Sequence, residues 1–179
     1  MGNRHDGVYV DVQIGGGAPV TATAEGFYAT AIGLGVNGSY GLYLGLADDI
    51  QAVATGAYAW ATGVEASSYV DILVYSSADI SAEASGSGYA SATGVSISSL
   101  AGDIFFYNGG NITATGADYA VAVQMYAAGS TTFINQGTIA AYADAYGGIA
   151  FLSGDADDTI YNNGTITGAI VTGDGDDTI

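Results

Sequence analysis

One short phrase recurs along this chain at a near-constant step, and that step constrains the fold more than any other feature. Tyr-Ala-Thr-Ala at 28–31 returns as Tyr-Ala-Trp-Ala at 58–61, Tyr-Ala-Ser-Ala at 89–92, Tyr-Ala-Val-Ala at 119–122 and, loosely, Tyr-Gly-Gly-Ile at 146–149. The tyrosines Tyr28, Tyr58, Tyr89, Tyr119 and Tyr146 are 30, 31, 30 and 27 residues apart. A second series keeps the same rhythm: Val20, Ile50, Ile80, Ile112, Ile139 and Ile166 each open a strand-like segment, at steps of 30, 30, 32, 27 and 27. Repetition at this period marks a solenoid, in which each repeat buries its apolar face only against its neighbours.

Composition narrows the choice of solenoid. Twenty-nine glycines, one proline and few long side chains in 179 residues disfavour extended helices and suit strands joined by tight turns. Eighteen acids face a single basic side chain, Arg4, for a net charge of −17. Such a surface repels phosphate backbones and anionic headgroups, which excludes nucleic acid and acidic membranes as partners. Acidity with low hydrophobicity would mean disorder, but 49% of the residues are hydrophobic, so the chain reads as folded. The absence of cysteine removes disulfides and thiolate metal sites. No stretch approaches the roughly 20 apolar residues that span a bilayer, so no membrane insertion by this segment is expected. Residues 1–7 lack the apolar segment of a signal peptide. The sequence predicts an unpatterned leader over 1–6 and one solenoid domain over 7–179, which the break at Gly173-Asp-Gly-Asp-Asp-Thr-Ile179 suggests continues in a longer chain.

Rows of 7–37, 38–68, 69–102, 103–130, 131–157 and 158–176 bring the repeats into register. The first strand of each alternates: Val10, Val12, Ile14; Tyr40, Leu42, Leu44; Val70, Ile72, Val74; Ile104, Phe106, with Phe133 and Ile160 at the matching place. Period two puts these on one face, the core face, with Val12, Leu42, Ile72 and Ile104 as one ladder and Ile50, Ile80, Ile112 and Ile139 as another. The second strand carries small inward residues such as Ala52, Ala54, Ala82, Ala84 and Ala114, which predicts a narrow interior. The third strand is the repeated phrase. Alanines inward would place the tyrosines outside as a ladder at about 4.8 Å per step, and the opposite phase would bury them. Thr30, Ser91 and Thr93 share the tyrosine face, which favours the first phase. The expected fold is all-β: a right-handed parallel β-helix, or β-solenoid, of about six coils of 27–32 residues with a shorter last coil. A β-roll is the alternative.

Phe133-Ile-Asn-Gln-Gly-Thr-Ile139 and Ile160-Tyr-Asn-Asn-Gly-Thr-Ile166 repeat at an offset of 27, with Phe106-Tyr-Asn-Gly-Gly-Asn-Ile112 as a looser copy. Asn108, Asn135 and Asn162 should therefore stack in a turn and bond amide to amide, with the left-handed backbone that Asn tolerates. Asn-x-Gly-Thr-Ile followed by Gly-Asp-x-Asp-Asp-Thr-Ile resembles the repeats of autotransporter and haemagglutinin-like passenger regions of large bacterial surface proteins, most closely over 131–179. The resemblance implies a right-handed β-helix displayed outside the cell, at the outer-membrane surface, with adhesion or biofilm roles.

Thr172-Gly-Asp-Gly-Asp-Asp-Thr-Ile179 also resembles the calcium-binding nonapeptide of repeats-in-toxin proteins, although Thr172 stands where that motif has its first glycine. Ser153-Gly-Asp-Ala-Asp-Asp-Thr-Ile160 departs further, and the copies lie 19 apart where tandem nonapeptides would give 18. Asp155, Asp157 and Asp158 should stack under Asp174, Asp176 and Asp177. Six carboxylates in adjacent turns repel unless they are well solvated or a hard cation such as calcium sits among them. No other cofactor is implied.

Catalysis has little to stand on. Arg4 and His5 are the only side chains of their kind and lie in the leader, so a lyase base or a Ser-His-Asp arrangement has no partner within the repeats. Asp48 and Asp49 are strand neighbours that point to opposite faces. The chain reads as a non-enzyme. Trp60, beside Tyr58 and Tyr28, is either a shield over the solenoid wall or part of an aromatic surface for sugars with Tyr89, Tyr119 and Tyr146. Three functions follow: an adhesin-like passenger segment whose partner is a host or neighbouring-cell surface, a glycan or another copy of itself; a calcium-dependent β-roll of a type I secreted protein; or a glycan-binding β-helix.

Overall fold

The computed structural model describes residues 9–179; the leader over 1–6, with Arg4 and His5, lies outside the described residues. Each coil opens with a short strand, and these strands stack in chain order as one six-stranded sheet. They are β1 (Tyr9–Ile14), β3 (Gly41–Leu46), β5 (Ile72–Ser76), β7 (Ile104–Asn108), β10 (Thr131–Asn135) and β13 (Asp158–Asn162). The remainder of each coil builds a second sheet. In the first three coils it is a single strand: β2 (Val20–Gly38), β4 (Ile50–Ser68) and β6 (Ile80–Ser99). Later coils divide it into β8 (Asn111–Gly116) and β9 (Tyr119–Ala127), β11 (Thr138–Ala143) and β12 (Gly148–Ser153), and β14 (Thr165–Thr167) and β15 (Ala169–Val171). Neighbouring strands of successive coils pair in parallel, as in β4 on β6 and β7 on β10. This is a β-solenoid of about five turns.

The second and third predicted strands are thus one continuous strand in coils one to three. The strand turns a corner without losing its coil-to-coil bonds because glycine occupies the bend. A Cβ on Gly56 would sit 2.0 Å from the Gly26 carbonyl oxygen, and one on Gly86 would sit 2.2 Å from that of Gly56. Burial changes phase there: Ala52 and Ala54 face in, then Ala59 and Ala61. It changes again at Gly63, after which Val64 and Ala66 face in. Each long strand therefore wraps three sides of its coil.

The Ile50, Ile80, Ile112 and Ile139 ladder forms as expected, residue opposite residue. The other ladder is shifted by two at its start: Val10, not Val12, stands opposite Leu42, while Val12 opposes Leu44. The linker from β1 to β2 spans Gly15–Pro19, whereas that from β3 to β4 spans only Ala47–Asp49, so the first step is two residues longer than the repeat suggests. Tyr40, expected in the core, precedes β3 and is exposed. Small inward residues make the interior narrow through the early coils. Aromatic packing takes over later, with Phe133 centred 5.3 Å from both Phe106 and Phe151.

The asparagine ladder is present, at the ends of β7, β10 and β13. Asn108 Nδ2 donates to Asn135 Oδ1 at 2.9 Å, and Asn135 Nδ2 to Asn162 Oδ1 at 2.8 Å. The left-handed backbone expected at these residues is absent, since among the described residues only glycines have positive φ. Asn108 Nδ2 also donates to the Gly110 carbonyl, which ties the following turn. The ladder stops at coil three, where Ser76 stands opposite Asn108. Asn108 Oδ1, buried there, has no hydrogen-bond partner among the described residues. Ser76→Asn would supply the missing donor, and the thermal midpoint should rise by the equivalent of about 0.5–1.5 kcal/mol. A lower midpoint would show that the turn after Ser76 lacks room for the amide.

Candidate functional site

The repeated phrase folds as its alternation requires, with Ala29, Ala31, Ala59, Ala61, Ala90 and Ala92 buried and the aromatic residues outside. Tyr28, Tyr58 and Tyr89 stand opposite one another in β2, β4 and β6. Tyr119 leaves that column: it opposes Ser91 and so follows Thr30, Trp60 and Ser91. The reason is local, since the corner before Tyr119 is the two-residue break Ala117–Asp118 rather than the longer bend through Gly86 and Gly88. Tyr146 is not in either column, because it belongs to the turn before β12 and is 80% exposed. The sequence-based ladder of five tyrosines is therefore a ladder of three beside a column that holds Trp60 and Tyr119.

Ring geometry decides what this face offers. Tyr28 and Tyr58 have centroids 5.3 Å apart and planes at 20°, too close for two rings side by side in one plane, so they stack on each other. Phe27 closes over the outer side, edge-on, 4.9 Å from Tyr28. Tyr58 and Trp60 are near-parallel at 6.5 Å, and Trp60 leans toward Tyr89 at 6.3 Å. The stacked rings cover part of one another, yet Tyr28 remains 71% exposed at the end of the column. Burial pushes the Tyr119 hydroxyl pKa up, with smaller contributions from Tyr126 and Tyr89.

A second aromatic face lies on the outside of the six-stranded sheet. One column runs Tyr43, Leu73, Phe105, Thr132, Thr159, and the next runs Gly45, Tyr75, Tyr107, Ile134, Tyr161. These ten positions contain no charge. Tyr75 is the hub, 5.7 Å from Tyr43, 5.5 Å from Phe105 and 6.3 Å from Tyr107, with planes tilted by 32–42°. Reading only the inward phase of each strand missed this face. The signal was available: Ile72-Leu-Val-Tyr75 and Ile104-Phe-Phe-Tyr107 are unbroken apolar runs, and a strand apolar at both phases has two apolar faces.

Several of the acids serve as coil-to-coil caps. Asp49 Oδ1 accepts the Asp79 N–H at 3.1 Å, and Asp79 Oδ1 accepts the Asn111 N–H at 2.8 Å. On the margin of the six-stranded sheet that leads into β5 and β7, Asp71 Oδ1 accepts the Asp103 N–H at 3.0 Å and Asp103 Oδ1 accepts that of Ser130 at 2.7 Å. A carboxylate that accepts a backbone N–H of the next coil satisfies a donor left over where the strand ends.

The six terminal aspartates come together in two stacked turns but divide by role. Asp157 Oδ1 accepts the Asp176 N–H at 2.9 Å, and Asp177 Oδ1 accepts the Asp158 N–H at 3.0 Å. Asp158 is not in the acidic surface: it is 1% exposed and receives the hydroxyls of Thr131 and Ser153. Asp155, Asp174 and Asp176 are left facing solvent. Among the described residues no three His, Cys, Asp or Glu side chains are arranged to hold a metal ion.

Burial raises the Asp158 pKa above the ordinary carboxylate value, with Asp177 and Asp157 adding to the rise and the Ser153 and Thr131 hydroxyls opposing it. A raised folded pKa means that the native state binds the proton more tightly than the unfolded chain. The contribution is full below the unfolded value, near about 3.9, and is lost as pH rises through the folded one. Stability should therefore increase on acidification from neutral pH toward about pH 4.5, beyond what relief of the −17 charge alone brings. Asp158→Asn isolates this share. Ser153 Oγ already lies 3.3 Å from the Thr172 carbonyl as a donor, so it can turn and accept from the new amide. The variant should show the shallower pH dependence of melting; a slope equal to the parent's would assign the effect to the surface acids.

Comparison with known proteins returns no match: no family model, no curated protein and no solved structure aligns with the chain. The class is therefore defined by the coordinates, and it is that of an acidic, aromatic-faced β-solenoid.

Proposed function

We propose that this chain is an adhesin-like passenger segment, a stiff acidic solenoid displayed on a bacterial cell exterior that holds or forms a contact surface. The observation that carries the reading is the division of labour among its side chains. Aspartates such as Asp49, Asp71, Asp79 and Asp103 bond backbone N–H groups of the next coil, and aromatic residues crowd two outer faces. A rod of stacked coils grows by about 4.8 Å per coil, which suits a spacer or stalk. The resemblance of 131–179 to passenger repeats supports the same reading. Because Tyr28 and Tyr58 stack on one another rather than lie in one plane, contact with a protein surface fits that column better than a sugar laid flat across several rings.

Beads coated with the protein should adhere to cells or to one another, and Tyr58→Ser with Trp60→Ser should reduce adhesion while the protein still melts cooperatively, at a midpoint lowered by the lost ring contacts. Coated beads no more adherent than beads bearing an unrelated acidic protein would overturn the proposal.

A further inference from the structure

From β3 to β13 the outer face of the six-stranded sheet is an uncharged aromatic strip with carboxylates along one margin, and in β1 the same face carries Asp11 opposite Tyr43. Asp71 and Asp103 line the margin that leads into β5 and β7, and Asp157 and Asp176 continue that margin in later coils. The opposite margin, where the chain leaves the sheet, is lined by Gln13, Ser76 and Ser77 beside Tyr43, Tyr75 and Tyr107, whereas Asp49 and Asp79 lie with Gln51 and Ser81 of the second sheet. A groove of about 360 Å³ lies at the first margin, between Asp71 and Asp103 on one side and Leu73, Tyr75, Phe105 and Thr132 on the other. Each of these two carboxylates bonds through Oδ1 to a backbone N–H, and among the described residues Oδ2 has no partner.

We propose that this face docks an extended, cationic polypeptide segment. Lysine and arginine place an apolar stem and a charged head on one side chain. The stems would lie on Tyr75, Phe105 and Leu73, and the heads would meet the tilted ring faces and the free Oδ2 atoms. Charge selects this occupant. A second copy would bring its own −17 charge against this acidic margin. An anionic glycan meets the same repulsion. A basic segment meets complementary charge at the Asp71–Asp103 margin, and an apolar strip beside it. This inference deepens the adhesive reading by naming the chemistry of the partner surface, and rests on it only for the setting.

The test titrates the folded protein with a short peptide of alternating lysine and leucine, at low and at physiological salt, followed by calorimetry and amide chemical shifts. Saturable binding should shift β5, β7 and β10. Asp71→Asn with Asp103→Asn keeps both Oδ1 acceptors while removing two charges, and Tyr75→Ser with Phe105→Ser removes the rings; each pair should weaken binding by about 3- to 10-fold. Glu25→Gln with Glu83→Gln, on the second sheet, removes the same charge elsewhere and should cost less than about twofold. Equal loss from both charge pairs would reduce the effect to non-specific attraction and overturn the site. So would tighter binding of a glutamate-leucine peptide or a neutral oligosaccharide, or no saturable binding. Persistent bead adhesion with no peptide binding sinks this inference alone; peptide binding with inert beads sinks the adhesive function alone.

Discussion

Replacing Phe133 by alanine should destabilise the protein by about 3–5 kcal/mol, the range for truncating a fully buried phenylalanine. Phe133 has no solvent exposure and sits between Phe106 and Phe151, each with its ring centre 5.3 Å away, and it opposes Ile160 in the next coil. Phe106 from the preceding coil and Phe151 from the second sheet cannot collapse into the space left by Phe133, because the strands that carry them are fixed by hydrogen bonds to coils on either side. In a solenoid, stability is close to a sum over coils and their interfaces. The loss should therefore be local: amides of 131–171 should exchange sooner, while those of 50–99 keep their protection. A uniform loss over all coils would mean that the solenoid unfolds as one unit.

An added methyl group at Gly137 should be nearly as damaging. A Cβ there would lie 1.8 Å from the Gly110 carbonyl oxygen, and the next glycine, Gly164, is in the same position against Gly137 at 1.9 Å. The neighbour is backbone and cannot rotate away. Shifting it would break the Thr138 N–H bond to the Gly110 carbonyl at 3.3 Å and disturb the Asn108 amide that donates to the same carbonyl at 2.9 Å. Gly137→Ala should cost at least about 3 kcal/mol, the upper end for ordinary overpacking. Gly15→Ala is the control: its Cβ would meet only the Ala47 methyl group, at 3.6 Å, and the change should stay within about 0.5 kcal/mol. Similar melting of the two variants would show that the column of turn carbonyls has more slack than its spacing indicates.

The repeat interval, the all-β class, the isoleucine ladder, the inward alanines and the asparagine stack were all legible in the residues. They follow from short-range rules that act identically in every coil: period two within a strand, and like residues recurring at the coil interval. Register and side-chain commitment required three dimensions. A linker two residues longer between β1 and β2 moved Val12 off the Leu42 rung, and a shorter corner moved Tyr119 from the tyrosine column to that of Trp60. Turn lengths vary while hydrophobic spacing stays nearly constant, so spacing alone cannot say which turn absorbs an extra residue. The acids show the same divide. Asp155, Asp157 and Asp158 read alike in sequence, yet Asp157 caps a backbone N–H of the next coil and Asp158 lies buried under two hydroxyls. Tertiary structure made that choice, because whether a carboxylate meets solvent or a backbone donor depends on which face of the turn the adjacent coil covers.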